Sequence, residues 1–147
     1  MEELSRPEID AFLGEELVGR IGCHAGGETY VVPVIYAYDG ASLYVYSVEG
    51  RKLAMMRANP EVCFEVDRYE GPGRWRSVIA WGRFEELAEE DAERARSLLA
   101  ARFPSSGAGP SRQPPRGDGR PAVAFRIRVR EASGRRKRPD GPALSPP

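Results

Sequence analysis

The chain has 147 residues, 41% of them apolar and 30% charged, with 22 basic side chains balanced by 22 acidic ones. That length fits one domain with a real core and is too short for two of ordinary size, and the composition is that of a soluble globular protein. A formal net charge of zero gives no general attraction to nucleic acid or anionic membranes, and no apolar run reaches the roughly 18–20 residues of a membrane span. The acidic start MEELSRPEID lacks the basic and then apolar pattern of a signal peptide, so a cytoplasmic location is expected.

In chain order, Ser5-Arg6-Pro7-Glu8 has the capping-box form, and Ile9, Phe12 and Leu13 follow at helical spacing up to Gly14. Val18 to His24 reads as a strand, residues 25–28 as a turn, and Thr29 to Tyr38 as a second strand rich in Val, Ile and Tyr. Asp39-Gly40 is a strong hairpin signal and leads into a third strand, Ser42 to Val48. A helix from Arg51 ends near Ala58, because Asn59-Pro60 cannot continue it. Glu61 to Asp67 is a strand with Val62, Phe64 and Val66 on one face. Residues 68–73 read as a loop, and Trp75 to Leu87 as a long strand in which Gly82 marks a bulge or a close approach.

A helix follows from about Glu89 to Arg102, with acidic residues in its first turn as its dipole prefers. The Pro/Gly/Ser/Arg-rich stretch 104–121 is expected to be a mobile loop. Val123, Phe125, Ile127 and Val129 alternate with polar or small residues in a last half-buried strand ending at Arg130. The division expected is a domain over 1–130 and a disordered basic, Pro-rich tail over 131–147. Six strands, consecutive ones joined by tight turns, make a mainly β, antiparallel fold with flanking helices that closes, or nearly closes, into a barrel.

The chemistry concentrates at one point. All but two of the 22 basic residues are arginine, yet one of the two lysines, Lys52, follows Arg51 directly at a helix start, where the dipole disfavours cations. Two readings are open. The pair is solvated and partly neutralised by Glu49, or it forms a cradle for an anion. In the second case Gly50 lets backbone approach closely, the helix offers free N–H groups, Arg51 forks around phosphate oxygens, Lys52 adds a point charge and Ser47 adds a hydroxyl. His24 is the only histidine, and zinc patterns, a Walker loop and the dinucleotide fingerprint are all absent. No protein nucleophile or base stands out, so any enzyme chemistry requires a bound cofactor. Cys23 and Cys63 fall inside apolar strands as expected buried thiols, and no metal site is expected. The run Arg135-Arg136-Lys137-Arg138 raises nucleic acid as a partner, which the zero net charge disfavours.

The segments YVVPVIYAYDGASLYVYSVEGRKLAMMRANPEVCFEVD and WRSVIAWGRFEEL resemble the pyridoxamine 5′-phosphate oxidase-like, FMN-binding split-barrel proteins, in particular the branch with the nitroimidazole-resistance proteins. The resemblance implies a six-stranded antiparallel split β-barrel and an FMN cofactor. It implies that Tyr46, Ser47, Gly50, Arg51 and Lys52 hold the FMN phosphate, and that Pro33, Val34, Ile35 and Tyr36 run beside the isoalloxazine with backbone contacts. Trp75 and Ser77 are implied to reach the flavin bound by the other subunit of a homodimer. The implied activity is an FMN-dependent oxidoreductase passing hydride or electrons between flavin and a small planar substrate, with no catalytic side chain identified. The alternative is a flavin- or haem-binding protein without turnover. Oxidases that act on vitamin B6 grip the substrate phosphate with a basic C-terminal segment. A chain whose last strand stops at Arg130 argues against that substrate. Tyr36, Tyr46 and Trp75 are each either barrel core or pocket wall on this reading.

Overall fold

In a computed structural model, residues 1–103 and 121–139 are described. The expected loop over 104–121, apart from Pro121, and the last part of the expected tail lie outside the described residues. Helix α1 (Arg6–Glu15) begins as the capping box requires: Ser5 Oγ accepts from the Glu8 N–H, and the Ser5 N–H donates to Glu8 Oε1. Its Ile9, Phe12 and Leu13 are buried. The short strand β1 (Glu2–Glu3) precedes it.

The remaining elements are β2 (Val18–Ala25), β3 (Glu28–Ile35), β4 (Ala37–Tyr38), β5 (Ser42–Val48), α2 (Arg51–Ala58), β6 (Glu61–Gly71), β7 (Arg74–Glu86), α3 (Glu89–Arg102) and β8 (Ala122–Lys137). Every strand pairing is antiparallel, in the order β3-β2-β6-β7-β8-β5-β4, with β1 added along β8. The two end strands, β3 and β4, are consecutive in the chain and separated only by Tyr36. The sheet therefore curls until its two edges come together at that residue without pairing, which is a split barrel. Inside it lie Ile21, Leu43, Val45, Phe64, Val66, Phe125 and Ile127. Val62, Phe64 and Val66 face inward as their alternation requires.

Several elements differ from the sequence reading. The strand count rises from six to eight, because Tyr36 breaks the long second strand into β3 and β4, and because β1 forms. The last strand does not end at Arg130: it continues to Lys137, so residues 131–137 are ordered strand rather than tail. The physical reason is long-range pairing. Val78 to Trp75 on β7 pair with Gly134 to Lys137, the Leu4 N–H donates to the Gly134 carbonyl at 2.9 Å, and Arg136 pairs with Glu2 at 3.1 Å and with Glu8. Residues 68–71, expected in a loop, likewise extend β6 as far as Gly71.

Gly82 serves both roles expected of it. The β7–β8 register shifts between Trp81 and Gly82, and a Cβ at Gly82 would lie 2.3 Å from the Arg128 carbonyl oxygen. Helix α3 covers the outside of the barrel with Ala92 and Ala95 against Tyr44 and Ala124. Among the described residues, no helix is long and apolar enough to cross a membrane.

Candidate functional site at the barrel split

Strand β5 hands the chain to α2 through Glu49 and Gly50. Gly50 is the helix N-cap, extended and without any side-chain cap, so among the described residues no side chain caps the first-turn N–H groups of α2. Lys52 is half-buried beside them. Desolvation alone lowers its pKa from the ordinary lysine value, and among the described residues it has no hydrogen bond or carboxylate partner. The expected neutralisation by Glu49 is directed elsewhere: Glu49 pairs with Arg57, in the last turn of α2, at 2.6 Å, and Arg57 also meets Glu86 at 2.7 Å. A desolvated ammonium without a counter-charge, next to uncapped N–H donors, is an arrangement that an anion completes.

Arg51 points to the other side of the split. Its guanidinium pairs with Glu28, at the first position of β3, and stands 5.2 Å from the centre of the Tyr30 ring. Glu28 and Tyr30 were not legible as site residues, because the contact joins positions 23 apart and depends on the β2–β3 register. Ser47 lies at the end of β5 and its hydroxyl donates to the Val48 carbonyl at 3.2 Å. Tyr46 faces outward under α3, with Arg96 5.2 Å from its ring centre, and packs against the Ala92–Ala95 surface rather than the barrel interior.

Pro33, Val34 and Ile35 end β3, which pairs with β2 on one side only, and Tyr36 stands in the break before β4. Among the described residues the other edge of β3 has no partner strand, and a proline is tolerated there because an edge strand needs no complete ladder. Val34 is core, while Pro33 is exposed and Ile35 half-buried. The Tyr36 side chain is core, which decides between the two roles open to it. It is fully buried, its hydroxyl donates to the Leu13 carbonyl at 2.6 Å, its ring meets Phe64 edge-on at 4.9 Å, and burial pushes its pKa well up. Its backbone N–H is engaged as well, donating to the Leu17 carbonyl at 3.3 Å.

Trp75 and Ser77 are not brought to the α2 start within one chain. Val48 pairs with Ala122 and Trp75 with Lys137, the two ends of β8. Along the strand path those ends are roughly 50 Å apart at ~3.3 Å per residue. Trp75 instead lines a hollow of about 260 Å³ whose other walls include Arg74, Arg76, Arg136 and Lys137. A second, apolar hollow of about 340 Å³ lies on the outer face of β2, β3, β6 and β7 between Val31, Gly22, Cys63 and Trp81. Gly22 keeps it open, since a Cβ there would stand 2.7 Å from Cys63 Sγ. Cys23 and Cys63 are both free thiols, and among the described residues no cluster of metal-ligand type occurs. His24 is exposed and shares a 2.9 Å hydrogen bond with Thr29 Oγ1. Within the basic run, Arg136 and Arg138 are engaged by Glu2, which weakens the nucleic-acid reading further.

An antiparallel sheet whose two end strands meet at Tyr36 without pairing, flanked by three helices, defines a split-barrel domain. The chain belongs to the pyridoxamine 5′-phosphate oxidase family, whose model matches residues 5–136. It is similar to the crystal structure of a FAD-binding protein from Mesorhizobium loti, with 34% identity, 92% of this chain and 95% of that chain covered, and a TM-score of 0.72. A candidate 5-nitroimidazole antibiotic resistance protein from Bacteroides thetaiotaomicron shares the fold at 19% identity, with 90% and 85% covered and a TM-score of 0.72. An uncharacterized protein of Rhizobium meliloti is 33% identical over 84 residues, and that match spans 57% of this chain and 56% of the relative.

Proposed function

We propose that this chain binds a flavin nucleotide, FMN, and works as a homodimeric flavin oxidoreductase on a small planar substrate. The observation that carries this reading is Lys52: half-buried, without a counter-charge among the described residues, and in the first turn of α2, whose N-cap Gly50 has no side-chain cap. A phosphate monoester brings nearly two negative charges and three acceptor oxygens, which match one ammonium, one guanidinium and the helix start. The bound phosphate replaces the missing cap and relieves the desolvated ammonium at once. FMN suits this cradle better than FAD, whose two phosphates are joined as a diphosphate and carry about one charge each. The relative from Mesorhizobium loti is named for FAD, so flavin is the shared class and the mononucleotide is the finer part of the proposal.

The edge of β3 turned away from β2 offers backbone groups at Pro33–Ile35 to the polar rim of the ring, with no donor from Pro33 and with the Tyr36 N–H already given to Leu17. The flavin, when bound, supplies hydride or electron transfer, and the chain supplies binding, orientation and exclusion of water. A second subunit enters for two reasons. Val18, Val31 and Ile79 leave apolar side chains exposed on one outer sheet face, and Trp75 and Ser77 can approach a flavin at Gly50–Lys52 only from another copy.

The test is the absorption spectrum and mass of the small molecule that copurifies, with FMN expected. A Soret band, or no bound chromophore and no uptake of added flavin, would sink the reading. Replacing Arg51 and Lys52 together by alanine is expected to weaken FMN binding at least about 100-fold, because each charged hydrogen bond contributes roughly 1.5–3 kcal/mol. The far-UV circular dichroism should be unchanged, since both positions are on the surface of α2.

A further inference from the structure

The pairing of Arg51 with Glu28 bears on how the cradle is controlled. Glu28 follows Gly26 and Gly27, whose φ values of 59° and 80° are those of a tight two-residue hairpin turn, and it pairs in register with Ala25. Its backbone is therefore held in place, directly across the split from α2. Its carboxylate takes the guanidinium fork of Arg51, the same fork that a phosphate would use, while Tyr30 supports the flat side of that guanidinium. Both members of the ion pair are more than half exposed, with side-chain exposures of 59% and 61%. An exposed pair of this kind is weakly held and open to exchange. Among the described residues Lys52 has no such partner, so the two cations of the cradle are not equivalent: only Arg51 is engaged by a carboxylate there.

Resting on the phosphate-cradle reading, we infer that Glu28 is a built-in competitor for Arg51, which a ligand phosphate must displace by rotation of the Glu28 side chain. The device selects for charge. A dianionic monoester out-competes the single carboxylate, whereas an uncharged or weakly charged ligand gains nothing at Arg51. It also keeps Arg51 extended over Tyr30 and near its working position when no ligand is bound.

The experiment compares the native chain with E28Q, titrating each with FMN and separately with riboflavin, which has the same ring and side chain but no phosphate. E28Q keeps the shape of the side chain and removes its charge at an exposed position, so the fold is retained. FMN binding is expected to tighten about three- to tenfold at low salt while riboflavin binding stays within about twofold. The FMN gain should close near 1 M salt, where screening acts within about 3 Å. Unchanged or weaker FMN binding by E28Q overturns the inference, and so does an equal gain for riboflavin, which would place Glu28 against the ring. The R51A/K52A chain separates the two levels of the argument. If it loses FMN while E28Q behaves like the native chain, the cradle stands and the competitor falls. If it binds FMN normally, the cradle falls with it.

Discussion

At the scale of the residue, Lys52 shows a conflict between stability and binding. Its ammonium loses hydration on folding and gains no partner among the described residues, so its folded pKa lies below the ordinary lysine value of 10.5. Because the unfolded chain holds that proton more tightly, the cost to stability is fully present at neutral pH. It is relieved as pH rises through the window between the lowered pKa and 10.5. K52M keeps the length of the side chain and removes the charge. It is expected to stabilise the flavin-free protein by about 0.5–1 kcal/mol at pH 7, with the gain fading towards pH 10–11, and to weaken FMN binding. Thermal melts across that pH range check it; a melting temperature below the native one at pH 7 would show that the ammonium is not a burden. The cations at this helix start were legible in the sequence because they violate the dipole rule locally. Their carboxylate neighbours were not: adjacency suggested Glu49, yet Glu49 turns to Arg57 and the guanidinium of Arg51 is met by Glu28 from another hairpin.

At the scale of the element, local signals located all but one of the elements, and long-range pairing set their ends. The capping box of α1, the Asn-Pro stop after α2, the acidic start of α3 and the glycine at the β7 bulge are each determined within a few residues of chain. β8 beyond Arg130 is different. EASGRRKR has almost no apolar side chain, so nothing local marks it as a strand. Its order comes from β7 on one side and β1 on the other. Arg68, Arg76 and Arg136 stand abreast across β6, β7 and β8, a row of like charges that would repel. Carboxylates of the N-terminal segment neutralise it, with Glu16 2.9 Å from Arg68, Glu15 3.7 Å from Arg76, and Glu2 and Glu8 on Arg136. A chain stopped after Glu131 is accordingly expected to lose much more than a tail. β1 and the first residues of β7 would lose their partner strand, and the melting temperature should fall by at least about 10 °C, on the order of 3 kcal/mol or more for a domain of this size. A melt matching that of the full chain would mean that residues 132–139 contribute nothing to the fold.

At the scale of the whole molecule, the question is how one flavin site could use both ends of a barrel. Within one chain the α2 start and the Trp75–Ser77 segment belong to opposite ends of β8, and no side-chain rearrangement spans that length. In the proposed homodimer two-fold symmetry would remove the difficulty, because each copy would offer its α2 start to one site and its Trp75 end to the other. This division of labour has a consequence that no monomeric site can imitate. The R51A/K52A chain lacks the cradle but keeps Trp75, and a W75A chain lacks the ring contact but keeps the cradle. Each alone is expected to hold little FMN. Coexpressed in equal amounts and assorting at random, about half of the dimers are mixed, and each mixed dimer has one site with both defects and one with neither. About a quarter of all sites should then bind FMN with native affinity. Flavin stoichiometry on the purified mixture measures that fraction directly. A mixture that binds no more than the average of the two variants would mean that each site is built from a single chain, and the place of Trp75 at the flavin would have to be abandoned.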